Sequence, residues 1–295
     1  MEELFVFMTI YSPIHSVNFK SIVNLSVKRD DLIDPFISGN KWRKLKYILA
    51  DVKLKDKNHL VTFGGAYSNH LVATAAAASR NKLNATAFVR GEKVENEMLL
   101  LCKLFGMNLI FVYRESYKYK KLLFSSFYGN DDQAYFIDEG GACLEAVDGC
   151  AEIIDELPET YDHIFCAAGT GTTAAGLLKG INKHQLITQL NVIPVLKGGE
   201  FIKDEIAIYE NDLSKLTIHT DYHFGGYAKT SPELINFVKD FTAQTGMLID
   251  PVYTAKMFYA INDLAQKAYF KPNAKILAIH TGGLFGILGM KEKLS

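Results

Sequence analysis

The stretch FISGNKWRKLKYIL, residues 37–50, puts four basic side chains into six positions: Lys41, Arg43, Lys44 and Lys46. Projected onto a helix at about 100° per residue, Trp42, Leu45, Ile48, Leu49 and Val52 form one apolar stripe. Arg43 falls nearly opposite the stripe, with Lys44 and Lys46 on its flanks, and Lys41 alone of the four lies inside it. A lysine on the core-facing side of a helix start needs an anion, a covalent partner or a way out to water. Gly39 and Asn40 supply a turn and an N-cap. The plain outcome is an amine that snorkels from the helix end. The chemical outcome is a partly desolvated amine with a lowered pKa, suited to forming a Schiff base. The stretch by itself leaves both open.

A second stretch bears on that choice. AAGTGTTAAG follows the apolar run HIFCAA and opens a helical pattern, so Gly169, Thr170, Gly171, Thr172 and Thr173 would turn amides and hydroxyls toward an anion at a helix N-terminus. Its spacing also satisfies GxGxxA, the fingerprint of a dinucleotide site. That reading requires an acidic residue at the end of the next strand to hold a ribose, and NVIPVL runs instead into Lys197 and Gly198. A single phosphate fits better than a dinucleotide. A phosphate cradle together with an inward lysine is what pyridoxal 5'-phosphate requires.

The elements that must position these groups are legible as an alternation. Nine strand-like runs (IVNLSV, HLVTF, ATAFV, NLIFVY, AYFID, HIFCAA, NVIPVL, KLTIH and AKILAIH) are separated by helical patterns such as VATAAAASR, EMLLLCKLF, LEAVDGCAEIIDEL and SPELINFVKDF. This predicts an α/β protein with mostly parallel sheets, and so many strands favour two sheets in two domains. Glycine pairs close several of the strands, in TFGGAYSNH, DEGGAC, VLKGGE and IHTGG. Ligands in such sheets sit beyond the carboxyl ends of the strands, so one site assembled from several segments is expected.

Composition narrows the function classes. A formal net charge of −1 over 295 residues gives no footing for nucleic acid or a membrane surface. No apolar run approaches the length of a membrane span. The N-terminal run MEELFVFMTIYSPIH opens on glutamates and lacks a small-residue cleavage site, so no signal peptide is expected. Four cysteines without a CxxC pair or a Cys/His cluster predict no metal site and reduced thiols in a cytoplasmic protein.

Eight motifs in order, KRDD, GNKWRKL, GGAYSNH, DEGG, AAGTGTT, GGYAKT, DPVYTAK and HTGG, resemble those of the 1-aminocyclopropane-1-carboxylate deaminase and D-cysteine desulfhydrase family. That family has the tryptophan synthase β-like fold (fold type II) of pyridoxal phosphate enzymes. The resemblance implies a large cofactor-binding domain over residues 1–43 and 152–295 and a smaller inserted domain, 44–151, closing over the site. It implies that Lys41 is the Schiff-base lysine and that Asn69 bonds the cofactor's ring hydroxyl, whether or not it also caps the alanine-rich helix that follows. Ser68 would stand near the substrate carboxylate and α-carbon, as a proton-transfer candidate, while His70 would support the helix start. Gly169 to Thr173 match the phosphate site, and Tyr227 and Tyr253 match two tyrosines that face the substrate. Relatives are commonly dimers, so a homodimer is expected.

Two positions bear on the reaction. The deaminases resemble one another in placing glutamate directly after the DPVY tyrosine, and a carboxylate near the pyridine nitrogen strengthens the electron sink. Here that position is Thr254, and HTGG puts Thr281 where the ring nitrogen would lie. The pattern favours α,β-elimination from a small amino acid, D-cysteine or a β-chloro analogue, giving pyruvate, ammonia and sulfide. The alternatives are deamination of 1-aminocyclopropane-1-carboxylate, a NAD-dependent oxidoreductase, and a non-catalytic amino-acid-binding protein.

Overall fold

The computed structural model describes residues 10–294. Among these the strands are β1 (Ile14–Phe19), β2 (Ile22–Lys28), β3 (His59–Gly65), β4 (Asn84–Arg90), β5 (Asn108–Val112), β6 (Ala134–Phe136), β7 (His163–Ala168), β8 (Gln189–Pro194), β9 (Leu216–Ile218) and β10 (Ile276–Ile279). They form two sheets, one of six strands in the order β1-β2-β10-β7-β8-β9 and one of four in the order β5-β4-β3-β6. Every pairing is parallel except β1 with β2. The α/β reading with mostly parallel sheets therefore holds, and each of the nine strand-like runs contains a strand. β1 escapes the pattern because it mixes polar and apolar residues and buries only Val17 and Phe19. The N-terminal apolar run begins in residues 1–9, outside the described residues.

The helices that matter below are α1 (Asn40–Leu54), α2 (Asn69–Arg80), α3 (Glu97–Leu104), α4 (Arg114–Tyr117), α5 (Lys120–Tyr128), α6 (Leu144–Asp155), α7 (Thr172–Lys183), α8 (Ile202–Ala207), α9 (Pro232–Thr245) and α10 (Thr254–Gln266). Both sheets are buried on their two faces, as parallel sheets require. One face of the six-stranded sheet packs Phe165 and Ala278 against Phe237, Phe241, Phe258 and Ile261 of α9 and α10. Its other face packs Leu190 and Leu277 against Leu177 and Ile181 of α7 and Ile153 of α6. The four-stranded sheet packs Leu60 and Ala87 against α1 and α2, and Phe63 and Phe88 against Tyr117 on the opposite side.

Helix α6 joins the two halves, with Ala146 in the core under the four-stranded sheet and Val147 in that of the six-stranded one. Close approach depends on glycine. A Cβ on Gly149 of α6 would stand 2.0 Å from the Arg43 carbonyl of α1, and one on Gly176 of α7 would stand 2.5 Å from the Val147 carbonyl of α6. Three helices thus meet backbone to backbone, with no room for a side chain at these crossings.

This packing revises the reading of α1. The side opposite its apolar stripe faces α6 and the end of β2 instead of water, and Arg43 is completely buried. Its guanidinium donates to both oxygens of Asp30 at 2.5 and 2.7 Å and both of Glu156 at 2.8 and 2.9 Å. Lys28 also reaches Glu156, at 2.8 Å. Lys46 and the Tyr47 hydroxyl both reach Glu152 of α6. Doubly paired on all sides, the buried guanidinium avoids the cost of an uncompensated charge. The KRDD motif is therefore structural: it fixes where α1 begins.

Candidate active site

The carboxyl ends of strands from both sheets open into one cavity of about 1190 Å³. Its walls carry Lys41, Ser68, Asn69, the loop from Gly169 to Thr173, Tyr227, Tyr253 and Thr281. Apart from Thr254, the residues expected at the site are thus brought together, from segments far apart in sequence.

Lys41 enters from the start of α1. Gly39, at φ 62° and ψ −136°, takes the N-cap position, and Asn40 is the first helical residue without capping by its side chain. Only glycine fits at 39, since a Cβ there would fall 1.9 Å from the Thr281 carbonyl. Freed from capping, the Asn40 amide accepts from Lys41 Nζ at 2.9 Å and donates to Thr173 Oγ1 at 2.9 Å. Burial lowers the Lys41 pKa to about 7, and the nearby charge of Lys44 pushes it the same way. A substantial share of this amine is neutral, hence nucleophilic, near neutral pH.

The glycine-rich loop runs from β7 into α7. Gly171 adopts φ 77° as the N-cap of α7 without a side-chain cap, so the first amides of that helix are open to an anion. Thr170 and Thr172 share a hydrogen bond of 3.1 Å between their hydroxyls. Lys44, also in the cavity wall, is nearly buried and donates to the Gly140 carbonyl at 2.9 Å. Gly140 in turn faces Thr170. Burial lowers the Lys44 pKa, and the sequence reading gave this lysine no role.

At the start of α2, Ser68 rather than Asn69 holds the N-cap position, and its hydroxyl makes no capping bond. The Asn69 amide is left free for the cavity, and its Oδ1 is buried without a partner. His70 is buried, with Nε2 on the Thr62 hydroxyl at 2.7 Å. Burial and the charges of Lys41 and Lys44 depress its pKa well below the usual range. It stays neutral and supports the helix start, as expected.

Tyr253 and Tyr227 stand edge to face, ring centres 6.0 Å apart. Burial and the neighbouring Tyr227 raise the Tyr253 pKa well above that of a free phenol, so its hydroxyl remains a proton donor. The Tyr227 loop is held from beneath by Lys256, which is completely buried and donates to the carbonyls of Val195, His223 and Gly226 at 3.2, 2.8 and 2.8 Å.

Thr254 departs from expectation. It is buried, is not part of the cavity wall, and its hydroxyl accepts from the Asp250 amide at 2.8 Å. Besides Tyr253, the polar group that the DPVYTAK motif turns into the cavity is Asp250. Its Oδ1 accepts from the amides of Val252 and Tyr253, both at 2.7 Å, while its buried Oδ2 has no partner. Burial raises its pKa to about 7. Nothing in the sequence separates this aspartate from one that merely caps a turn.

Two orphaned buried oxygens, a half-neutral lysine, an open helix N-terminus lined with hydroxyls and two phenols in one cavity fit an aromatic aldehyde that carries a phosphate. The comparisons agree. The family model described as pyridoxal-phosphate dependent enzyme matches residues 8–282. A Pyrococcus abyssi protein with the provisional name 1-aminocyclopropane-1-carboxylate deaminase is 34% identical, covering 92% of this chain and 88% of its own. The Arabidopsis thaliana bifunctional D-cysteine desulfhydrase/1-aminocyclopropane-1-carboxylate deaminase is 28% identical, covering 96% of this chain and 79% of its own. A crystal structure described as an ACC deaminase homologue superposes with a TM-score of 0.79 at 30% identity, over 92% of this chain and 88% of that one.

Proposed function

The chain belongs to the family of pyridoxal-phosphate dependent enzymes, and on that premise we propose that it catalyses α,β-elimination from a small amino acid of the D-cysteine type, giving pyruvate, ammonia and sulfide. When bound, the cofactor draws electrons from the amino acid's α-carbon. Lys41 would hold it covalently, Asn69 would bond its ring hydroxyl, Thr281 would meet its ring nitrogen, and the loop Gly169 to Thr173 would hold its phosphate.

The observation that carries this reading is the convergence of Lys41, Ser68 and Tyr253 on one cavity. An amine with a pKa of about 7 is matched to taking a proton from the α-carbon, with the Ser68 hydroxyl as the neighbouring relay. The C–S bond then breaks and the sulfur leaves as hydrosulfide, to which the Tyr253 hydroxyl, kept protonated by its raised pKa, donates a hydrogen bond. Water hydrolyses the released enamine to pyruvate and ammonia. Thr281 would offer the ring nitrogen a hydroxyl too weakly acidic to keep it charged, which suits a reaction whose leaving group carries the electrons away.

Opening of 1-aminocyclopropane-1-carboxylate is the second reading. It is favoured by the free Asp250 oxygen in the cavity and by the names of the relatives. We further propose that residues 44–151, which hold the four-stranded sheet, close over the cavity as a smaller unit, and that the enzyme is a cytoplasmic homodimer. Among the described residues no helix is long and apolar enough to cross a membrane.

The test is to add D-cysteine and 1-aminocyclopropane-1-carboxylate separately to cofactor-saturated protein, following pyruvate with sulfide and 2-oxobutanoate. Pyruvate and sulfide from D-cysteine are expected. Production of 2-oxobutanoate alone would replace the first reading with the second, and no product from either would leave neither standing.

A further inference from the structure

We propose that Arg90 reads a second acidic group on the substrate, so that the cavity prefers an amino acid with an anionic β-substituent over a neutral one. The proposal rests on the elimination reading for the site and the reaction, and moves the preferred substrate from D-cysteine to an amino acid whose β-leaving group is an anion, with D-cysteine a weaker one.

The chain has five arginines. Arg29, Arg43 and Arg80 each place the guanidinium on an aspartate, at 2.5 to 2.7 Å. Arg90 and Arg114 are the two in the cavity wall, and among the described residues neither makes an ion pair. They rise from neighbouring strand ends, since Arg90 closes β4 opposite Val112 of β5, and Arg114 follows two residues later.

Arg90 is the better held of the two. Its guanidinium carbon lies 5.4 Å from the centre of the Tyr117 ring, a stacking contact that restrains the side chain without neutralising it. Its Nη2 is 3.6 Å from where a Cβ on Gly65 would stand, which sets the fork over the turn that leads to Ser68 and Asn69. The cavity's own carboxylates on this side are otherwise engaged: Glu115 with Lys118 at 2.7 Å and Glu139 with Lys120 at 3.7 Å. Glu92, two residues beyond Arg90, makes no ion pair with it.

The α-carboxylate has a place already. The N-terminus of α2 lacks a side-chain cap, so its first amides are free for one anion. A preorganised, unpaired guanidinium beyond that turn is a receptor for a further planar oxyanion, which it can bind with two parallel hydrogen bonds. The complementary substrate carries a sulfonate or a phosphate ester on the β-carbon, leaving as sulfite or phosphate, and a β-carboxylate is its non-eliminating analogue.

The experiment is calorimetric titration of the cofactor-loaded protein with aspartate and with asparagine, in both enantiomers. The two are nearly isosteric and differ in the charge at the β-position. Wild type should bind aspartate about tenfold or more tighter than asparagine, and the preference should shrink as salt rises. Arg90→Gln should erase the preference while leaving asparagine affinity and the melting temperature unchanged. Arg90→Lys, which keeps the charge and loses the fork, should restore part of it. No aspartate preference in wild type, or a preference that survives Arg90→Gln, would overturn the proposal. Equal loss of both ligands in Arg90→Gln would also overturn it, by assigning Arg90 to the α-carboxylate. Because the readout is binding, it stands apart from whether D-cysteine yields pyruvate.

Discussion

Lys41 and Thr173 lie 132 positions apart in sequence, yet one amide joins them: Asn40 accepts from the lysine amine and donates to the threonine hydroxyl, both at 2.9 Å. The proposed covalent anchor of the cofactor and its proposed phosphate loop are thereby held in mutual register. Asn40→Ala should weaken pyridoxal phosphate affinity about tenfold, measured by absorbance titration, while the far-UV circular dichroism stays that of wild type.

Lys41 also leaves a signature in the cofactor-free protein. Its folded pKa of about 7 lies below the ordinary 10.5, so between these values the unfolded chain binds the extra proton. The destabilisation is complete below pH 7 and fades as pH rises toward 10.5. Lys41→Met should therefore melt higher than wild type near neutrality, by roughly 3 °C, and the gap should close by about pH 10. A gap that stays constant with pH would show that packing, not the charge, sets the difference.

Asp250 has the opposite window. Its pKa rises from 3.8 to about 7, so its charge is unfavourable above pH 7, and the penalty disappears as pH falls toward 3.8. Asp250→Asn keeps an acceptor for the Val252 and Tyr253 amides and removes the charge. It should raise the melting temperature at about pH 8 and change it little at about pH 4. Asp250→Ala strips both amides of their acceptor and should cost about 1–3 kcal/mol in urea unfolding.

The crossing of α1 and α6 should tolerate no side chain. In Gly149→Ala the new methyl would meet the Arg43 carbonyl at 2.0 Å, and neither backbone can yield without parting the helices. A loss of about 1–3 kcal/mol is expected, with a parallel fall in cofactor affinity because Arg43 and Lys41 share a helix.

Thr281→Glu would set a carboxylate in the cavity wall beside the expected place of the ring nitrogen. It should raise the ratio of 2-oxobutanoate from the cyclopropane substrate to pyruvate from D-cysteine. A Thr254→Glu variant should instead lose stability, because the Thr254 hydroxyl is needed by the Asp250 amide.

What the sequence disclosed follows from range. Lys41 and the loop Gly169 to Thr173 were legible because a helical stripe and a strand-loop-helix pattern are local. The burial of Arg43 was not, since its partners Asp30 and Glu156 lie 13 and 113 residues away. Nor could composition distinguish Asp250, with one oxygen on two amides and the other unpartnered, from Asp34, whose Oδ1 accepts from two amides while Arg80 binds both oxygens. Thr254 was misjudged for a related reason: a motif gives the order of residues but not which of them faces inward. Gly149, a glycine in the interior of α6, is explained only by the crossing with α1.

The order of the six-stranded sheet has a consequence for synthesis. β10, residues 276–279, lies between β2 and β7, so the strand that joins the N-terminal hairpin to the rest of the sheet is made after all the sheet's other strands. The four-stranded sheet, complete by residue 136, has all its partners while the ribosome is still at work. Lys41 waits, tethered next to Asn40, whose amide hydrogen-bonds to a carbonyl at the end of that final strand, Thr281 at 3.2 Å. A nascent chain halted before Ile276 would thus carry a finished small sheet and no cofactor site, and the enzyme cannot capture pyridoxal phosphate until β10 has been made.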